Sequence, residues 1–486
     1  MRLRRGRAGA ARGEVQLNGK SIQNGKLMRS PYLQLVPNRR GIAAYHSLFG
    51  NLRLVDRATE AFLGEFAAPR EPADVLPRYG ASAPARLEEL KRLSYLVDAG
   101  HDEREVVRAW LARRAELVPT GFYLCEAEFS VSDICDFNCA YCFADNADRR
   151  SKTRRDMAAR GDRLMTVEQA KNIMTRLIDL SRVNGRNRLL VKFIGKEPLL
   201  NPKVLAFILD HFQNGEPYQT EIVYHMTTNC TRMPDELAQK MAERRMVVNA
   251  SIDVPGEAND LTRSRKTGGR TFEVIDASIA TMRRHGVEVR LNTVLGRQNY
   301  EHVDLAIVDY ARKYNADMIS VFLVVCDEKL AAQRALTNDE IVDRLFELWR
   351  YGHENGVRIR GYWYNPVAKL MATRNMGFQD QLGFKNSCAG CGNQVEIEPS
   401  GEIYACRMSE HRLGHVDDLE SLLRSELYRH YIMRMYIDDC HGCALEGPCG
   451  GLCAGHLEAR FGDIYRADPD HCDIYRKVCA KILAAL

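Results

Sequence analysis

The chain is 486 residues long, 45% hydrophobic and 27% charged, a balance that describes a soluble globular protein of roughly two to four domains. No run of about eighteen apolar residues occurs, so no transmembrane helix and no membrane partner are expected. The formal net charge of +5 comes from residues 1–30, which carry eight Lys or Arg against one Glu; the remainder is slightly acidic, so nucleic acid is not an expected partner.

The opening stretch, MRLRRGRAGAARGE, is basic, and no apolar core follows it. It is not read as a secretory signal, residues 1–28 are expected to form a disordered tail, and the cytoplasm is the expected compartment. Next come PYLQLVP, GIAAYHS and NLRLVD, which read as short strands with Gly50 at a turn. RATEAFLGEFA, APARLEELKRLSYLVDAG and DEREVVRAWLARRA show helical spacing. A hairpin followed by three helices suits a winged-helix-like module over 29–118.

From about 121 the pattern alternates. Strands are predicted at 122–131, 188–194, 219–226, 246–252, 287–294 and 317–325, with helices at 166–183, 234–244 and 271–285. Six such strands predict an α/β fold, a parallel sheet curled into a partial (β/α)6 barrel of the TIM type. Reactive groups on such barrels sit at the C-terminal ends of the strands. Residues 146–165 are polar and Arg-rich and read as a mobile loop. After about 380 regular patterning fades.

Fifteen cysteines take over the argument. Three of them, Cys135, Cys139 and Cys142, sit in CDFNCAYC directly after the first predicted strand. Eight lie between 388 and 472, and Cys125, Cys230, Cys326 and Cys479 stand apart. Clustered cysteines in a cytosolic chain indicate metal binding or catalysis rather than disulfides. Structural zinc takes four protein ligands, and a [4Fe–4S] cluster usually takes four cysteines. Three thiols leave one metal position open, where chemistry can occur.

C-x3-C-x2-C after the first strand of an α/β barrel resembles the radical S-adenosylmethionine (SAM) superfamily. That resemblance implies that the three thiolates hold a [4Fe–4S] cluster whose fourth iron is chelated by SAM. Gly195, Lys196, Glu197 and Pro198 stand where the family has Gly-Gly-Glu-Pro, which contacts the SAM amino group; Lys196 departs from the pattern. SIDVPGEANDLTR resembles the ribose and carboxylate stretch, implying Ser251 for the ribose hydroxyls and Arg263 for the carboxylate. Tyr141 would lie by the adenine. Asn229 falls in TTNC, where relatives have Thr-Asn-Gly, and Cys230 replaces that glycine as a small buried residue. Cys326 ends the sixth predicted strand and is a candidate to face the cavity; for Cys125 and Cys479 only packing is expected.

The C-terminal pattern, C-x2-C-x9-G-x4-C and then C-x2-C-x5-C-x3-C-x18-C, resembles the SPASM extension. It implies two auxiliary [4Fe–4S] clusters, one on Cys388, Cys391, Cys406 and Cys453, the other on Cys440, Cys443, Cys449 and Cys472. Two zinc sites are the alternative, since four thiolates suit either metal. The expected organisation is a tail (1–28), a leader-peptide recognition module (29–118), the barrel (119–330), a connecting helix and strand (331–380) and the SPASM domain (381–486).

The resemblance implies a maturase that acts on a ribosomally made precursor peptide by C–H abstraction, forming an intramolecular C–C, C–S or C–O crosslink. Its leader would bind the N-terminal module, and a flavodoxin or ferredoxin would supply electrons. The alternatives are thioether maturation of an enzyme subunit, a sulfatase (formylglycine) maturase and a non-catalytic metal-binding module. Sulfatase maturases place Asp directly after the G-x4-C cysteine, whereas this chain has Arg407.

Overall fold

The computed structural model describes residues 25–143, 163–324, 335–373, 388–434 and 437–486. Residues 1–24 of the basic tail, most of the loop expected at 146–165, and Cys326 lie outside the described residues.

The six predicted barrel strands form at Glu126–Ser130, Arg188–Ile194, Glu221–Thr228, Val247–Ser251, Glu288–Leu295 and Met318–Leu323. They pair in parallel in chain order. Arg358–Arg360 continues the sheet beyond the sixth strand. At the other edge Gln394–Ile397 pairs in parallel with Glu126–Ser130, followed by two antiparallel strands, Glu402–Tyr404 and Arg412–His415. The C-terminal region, where patterning fades, thus extends the barrel sheet to ten strands.

Strand alternation places chemistry on one face. In RLLVKFI, Leu189, Val191 and Phe193 are buried against the helices, while Lys192 faces the interior. The same alternation buries Ala127 and Phe129 and turns Glu128 inward. His225, Asn249, Asn292 and Ser320 occupy equivalent inward positions on later strands. These strands therefore place polar groups in the barrel interior. The helices Val167–Val183 and Asn338–Glu354 both start in a capping box, Thr166 with Gln169 and Thr337 with Glu340.

In the N-terminal region, Leu33–Asn38, Gly41–His46 and Gly50–Val55 form an antiparallel sheet with Gly41–His46 in the middle. Helices follow at Arg57–Glu65, Ala83–Arg92 and Arg104–Leu117. The predicted second helix is cut short: Leu96–Asp98 is a strand paired with Leu27–Arg29, which also orders the end of the expected tail. Tertiary pairing overrides helical spacing there. A buried clasp anchors the region, in which Ser30 donates to Glu103 (2.7 Å) and His46 Nε2 lies 2.8 Å from Glu103.

This region is not detachable. Arg114 is buried and donates to the carbonyls of Ile432 and Gly392, both at 2.9 Å. Arg104 pairs with Glu446 (2.9 Å), and the Gly447 amide donates to Ser47 O (2.8 Å). Among the described residues, no helix is long and apolar enough to cross a membrane.

Candidate active site and thiol groups

The cysteine triplet sits on a loop held from two sides. Phe137–Cys139 pairs antiparallel with Arg263–Arg265, placing Cys139 opposite Arg263. The Ala140 amide donates to Thr262 O (2.8 Å), and Cys142 N to Cys139 O (3.0 Å). Burial pushes the Cys135 thiol up to about 11 and the Cys139 thiol up to about 12, and the neighbouring triplet sulfurs add to both shifts. Three half-buried thiols on one loop make a donor set whose thiolates a cation would stabilise, since metal binding releases the protons. The donor set fits a thiolate-bound cluster with one open position.

Gly195 and Lys196 line the cavity beside the triplet. At Gly195, φ is +146°, and a Cβ would lie 2.9 Å from Ser132 O, so the loop requires glycine there. Lys196 is not solvent-facing; its ammonium lies 3.8 Å from Asp133. Glu197 sits behind them, 0% exposed. Its carboxylate accepts from Thr228 Oγ1 (2.6 Å), Asn229 N (2.7 Å) and Leu199 N (2.8 Å). Burial raises its pKa to about 7 despite these donors. Asn229 in turn donates to Asp136 (3.0 Å), tying the third strand to the triplet loop. Cys230 is fully buried with φ +59°, the left-handed conformation that a glycine would serve. Cys479 is also buried, as packing alone would have it, and Cys125 accepts a contact from Asn393 Nδ2 (3.4 Å).

Ser251 ends the fourth strand and lines the cavity. Arg263 is buried and pairs with Asp253 (3.1 Å). Asp253 also accepts from Tyr141 OH (2.5 Å), Thr262 Oγ1 (2.6 Å) and Val294 N (3.1 Å). The Arg263 guanidinium lies 5.4 Å from the Tyr141 ring centroid. Sequence reasoning missed Asp253, although it lies within the SIDVPGEANDLTR stretch, two residues after Ser251.

The eight C-terminal thiols fall into two groups. Cys388 shares hydrogen bonds with Cys391 and Cys453, and Cys406 lies within electrostatic reach of Cys388, Cys391 and Cys453. Gly455 packs there, where a Cβ would stand 3.3 Å from Cys406 Sγ. Cys440, Cys443, Cys449 and Cys472 line a separate cavity of about 20 Å³. Burial raises Cys440 and Cys472 to about 12 and Cys449 to about 11. Backbone amides already point at sulfur, Ala454 N at Cys388 and Leu445 N at Cys443, both 3.5 Å away. Two four-thiol sets, buried or half-buried and with N–H donors, fit iron–sulfur ligation, and four thiolates also fit zinc.

A cavity of about 620 Å³ joins these parts. The triplet lines it, and so do Cys388, Cys406 and Cys453. Tyr141, Gly195, Lys196, Asn229, Ser251 and Arg263 also line it, whereas Glu197 does not. Glu128 adds a carboxyl raised to about 7 by burial, and burial pushes His225 down to about 4, keeping it neutral at pH 7. Arg407 lines the same cavity, 5.2 Å from the Phe143 ring.

An α/β-barrel enzyme whose strand ends present three thiols to a large cavity is the class that this geometry defines. Residues 129–309 match the Radical SAM superfamily, so the chain carries a radical SAM domain, and it is an enzyme. It is 26% identical to "Radical SAM cyclopropyl synthase TigE" of Paramaledivibacter caminithermalis, over 95% of this chain and 97% of that one. It is 22% identical to a cysteine-type anaerobic sulfatase-maturating enzyme of Clostridium perfringens, over 66% of this chain and 85% of that one. The fold resembles Streptococcus suis SuiB bound to precursor peptide SuiA, with a TM-score of 0.52 and 15% identity, covering 92% of this chain and 99% of that one. The family implies a [4Fe–4S] cluster and SAM as cofactors.

Proposed function

We propose that this enzyme modifies a ribosomally synthesised precursor peptide by hydrogen abstraction, forming an intramolecular bond. The observation that carries the reading is the shared cavity, lined both by the triplet and by Cys388, Cys406 and Cys453. Cys135, Cys139 and Cys142 would hold the SAM-binding cluster. When bound, that cluster and SAM supply a 5′-deoxyadenosyl radical by reductive cleavage of the sulfonium. Tyr141, Gly195, Lys196, Asn229, Ser251 and Arg263 line the space for SAM, and Glu197 acts from behind by bracing Asn229. Cys388, Cys391, Cys406 and Cys453, and Cys440, Cys443, Cys449 and Cys472, would hold the two auxiliary clusters, which bring the total to three. Fully ligated clusters have no iron open to substrate, so their role is electron transfer, with a flavodoxin or ferredoxin as outside donor.

The likeness to a cyclopropyl synthase along nearly the whole chain favours a C–C bond. The Arg407 guanidinium stands where formylglycine maturases place a carboxylate base, which disfavours that alternative. The test is to incubate the anaerobically reconstituted enzyme, SAM and a reductant with the peptide encoded beside the gene. A product lighter by two hydrogens, with a new carbon–carbon bond, is expected. Unmodified peptide alongside active SAM cleavage would refute the reading for that peptide class.

The 29–118 region would recognise the leader as an added strand, as SuiB is found with its precursor peptide. Leu33–Asn38 and Gly50–Val55 form the edges of its sheet. Pro37 blunts the first edge. The second has no proline and leaves Leu54 42% exposed. Because Arg104 and Arg114 lock this region to the rest of the chain, a point variant tests it better than a deletion. Leu54→Pro is expected to weaken precursor binding at least tenfold while SAM cleavage without peptide continues; unchanged affinity would refute edge pairing.

Lys196→Ala is expected to raise the KM for SAM or for peptide about ten- to a hundredfold. That matches loss of a charge-assisted contact worth roughly 1.5–3 kcal/mol. Iron content should not change. Wild-type kinetics would leave Lys196 as a partner of Asp133 alone.

A further inference from the structure

Arg434 packs against the segment that joins the two four-thiol sets. It is 0% exposed. Its Nη1 donates to Leu452 O (2.9 Å) and its Nε to Ile464 O. Leu452 belongs to the segment Cys449–Cys453, whose two ends are one thiol of each set, and Leu452 lines both the four-thiol cavity and the large cavity. The guanidinium packs against this segment. At Gly451, φ is +79° and a Cβ would stand 3.0 Å from Arg434 Nη2, so glycine is what allows the approach. Arg434 thus contacts Gly451 and Leu452, which lie between Cys449 of one set and Cys453 of the other. Lys369 is on the helix Asn365–Ala372, which packs against Glu446–Cys449, a segment that ends in a thiol of one set.

We propose that Arg434 is a positioning residue that electrostatically bridges the two auxiliary clusters, raising the reduction potential of both and holding them in register for electron passage. The inference rests on the reading that both thiol sets hold iron–sulfur clusters. Burying a guanidinium is costly unless anions surround it. Two sets of four thiolates supply those anions. Each cluster becomes more negative by one charge on reduction, so a fixed cation in a low-dielectric interior favours the reduced form. A cation seated between two such sites shifts both together, whereas a cation beside one shifts that one only.

The experiment is an anaerobic redox titration of the reconstituted full chain, followed by electron paramagnetic resonance, with iron counted on each sample. Arg434→Gln keeps donors for the two carbonyls and removes the charge, and Arg434→Lys keeps the charge. Lys369→Met serves as the one-sided comparison. In Arg434→Gln both auxiliary potentials are expected to fall while that of the SAM-binding cluster stays fixed; in Lys369→Met only one falls. Arg434→Lys should hold both near their wild-type values. Unmoved auxiliary potentials in Arg434→Gln, or a shift in only one, would overturn the bridge. If Arg434→Gln loses the auxiliary iron, Arg434→Lys decides: retention of about twelve irons per chain supports the charge, and a matching loss assigns Arg434 to folding alone. A wild-type chain with about four irons plus zinc would instead overturn the cluster reading and the bridge with it.

Discussion

Replacing Cys135, Cys139 and Cys142 together with alanine is expected to leave about eight of about twelve irons per chain and to abolish 5′-deoxyadenosine formation. The triplet is the thiol group with three members, so it alone leaves an iron open for SAM. Its loop is also anchored by backbone pairing to Arg263–Arg265 and by Asn229 to Asp136, so the fold around it should survive loss of the sulfurs. Substitution of Cys406 or Cys449 should act differently. SAM cleavage should continue, because the triplet is intact, while peptide product falls sharply for want of an electron acceptor. Cys453 should be the least tolerant, since its sulfur bonds Cys388 from a helix start 65 residues further along the chain. Iron analysis with chromatographic detection of 5′-deoxyadenosine checks the set. Continued SAM cleavage by the triple variant would overturn the assignment of the triplet, and wild-type product rates in the Cys406 and Cys449 variants would overturn electron transfer through the auxiliary sites.

Asp253→Ala is expected to be the most destabilising single change in the barrel. Asp253 is fully buried and accepts from Tyr141, Thr262 and Val294 while pairing with the buried Arg263. Burial opposes the charge on Arg263, and Asp253, Tyr141 and Cys139 together outweigh that opposition. Removing one partner of a buried pair costs about 3–5 kcal/mol because the remaining charge is left uncompensated. For a unit of barrel size that corresponds to a fall of about 6–20 °C in unfolding midpoint. Asp253→Asn keeps acceptor capacity without the charge and should fall in between. Thermal unfolding of the apoprotein checks this before any cofactor is added. A midpoint within a degree or so of wild type would show that Arg263 finds another anion, and would free it for the SAM carboxylate alone.

Arg263 shows where local reading stops. The sequence resemblance points it at SAM; the structure adds Asp253, which becomes visible only when the end of the fourth strand and the segment after it close on each other. Glu197 follows the same logic. Its place in the Gly-Lys-Glu-Pro stretch is legible, but its burial behind Gly195 depends on the third strand delivering Thr228 and Asn229 to it. At Leu96–Asp98 helical spacing was misleading, because Leu27–Arg29, distant in sequence, offers a partner strand.

The amino-acid sequence by itself determined the six alternating strands and helices, since hydrophobic periodicity is a local property that survives without knowledge of neighbours. It also determined the thiol spacing, because loops of two to five residues between cysteines keep their sulfurs within reach of one centre. Only the tertiary structure decided which distant thiols meet. Cys449 and Cys453 are four residues apart, yet they turn to different sets, with Arg434 seated between them. The tertiary structure likewise decided that Gln394–Ile397 would extend the barrel sheet and bring Cys406 to the same cavity as Cys135. Those contacts join segments hundreds of residues apart, and no local pattern encodes the closure that makes them.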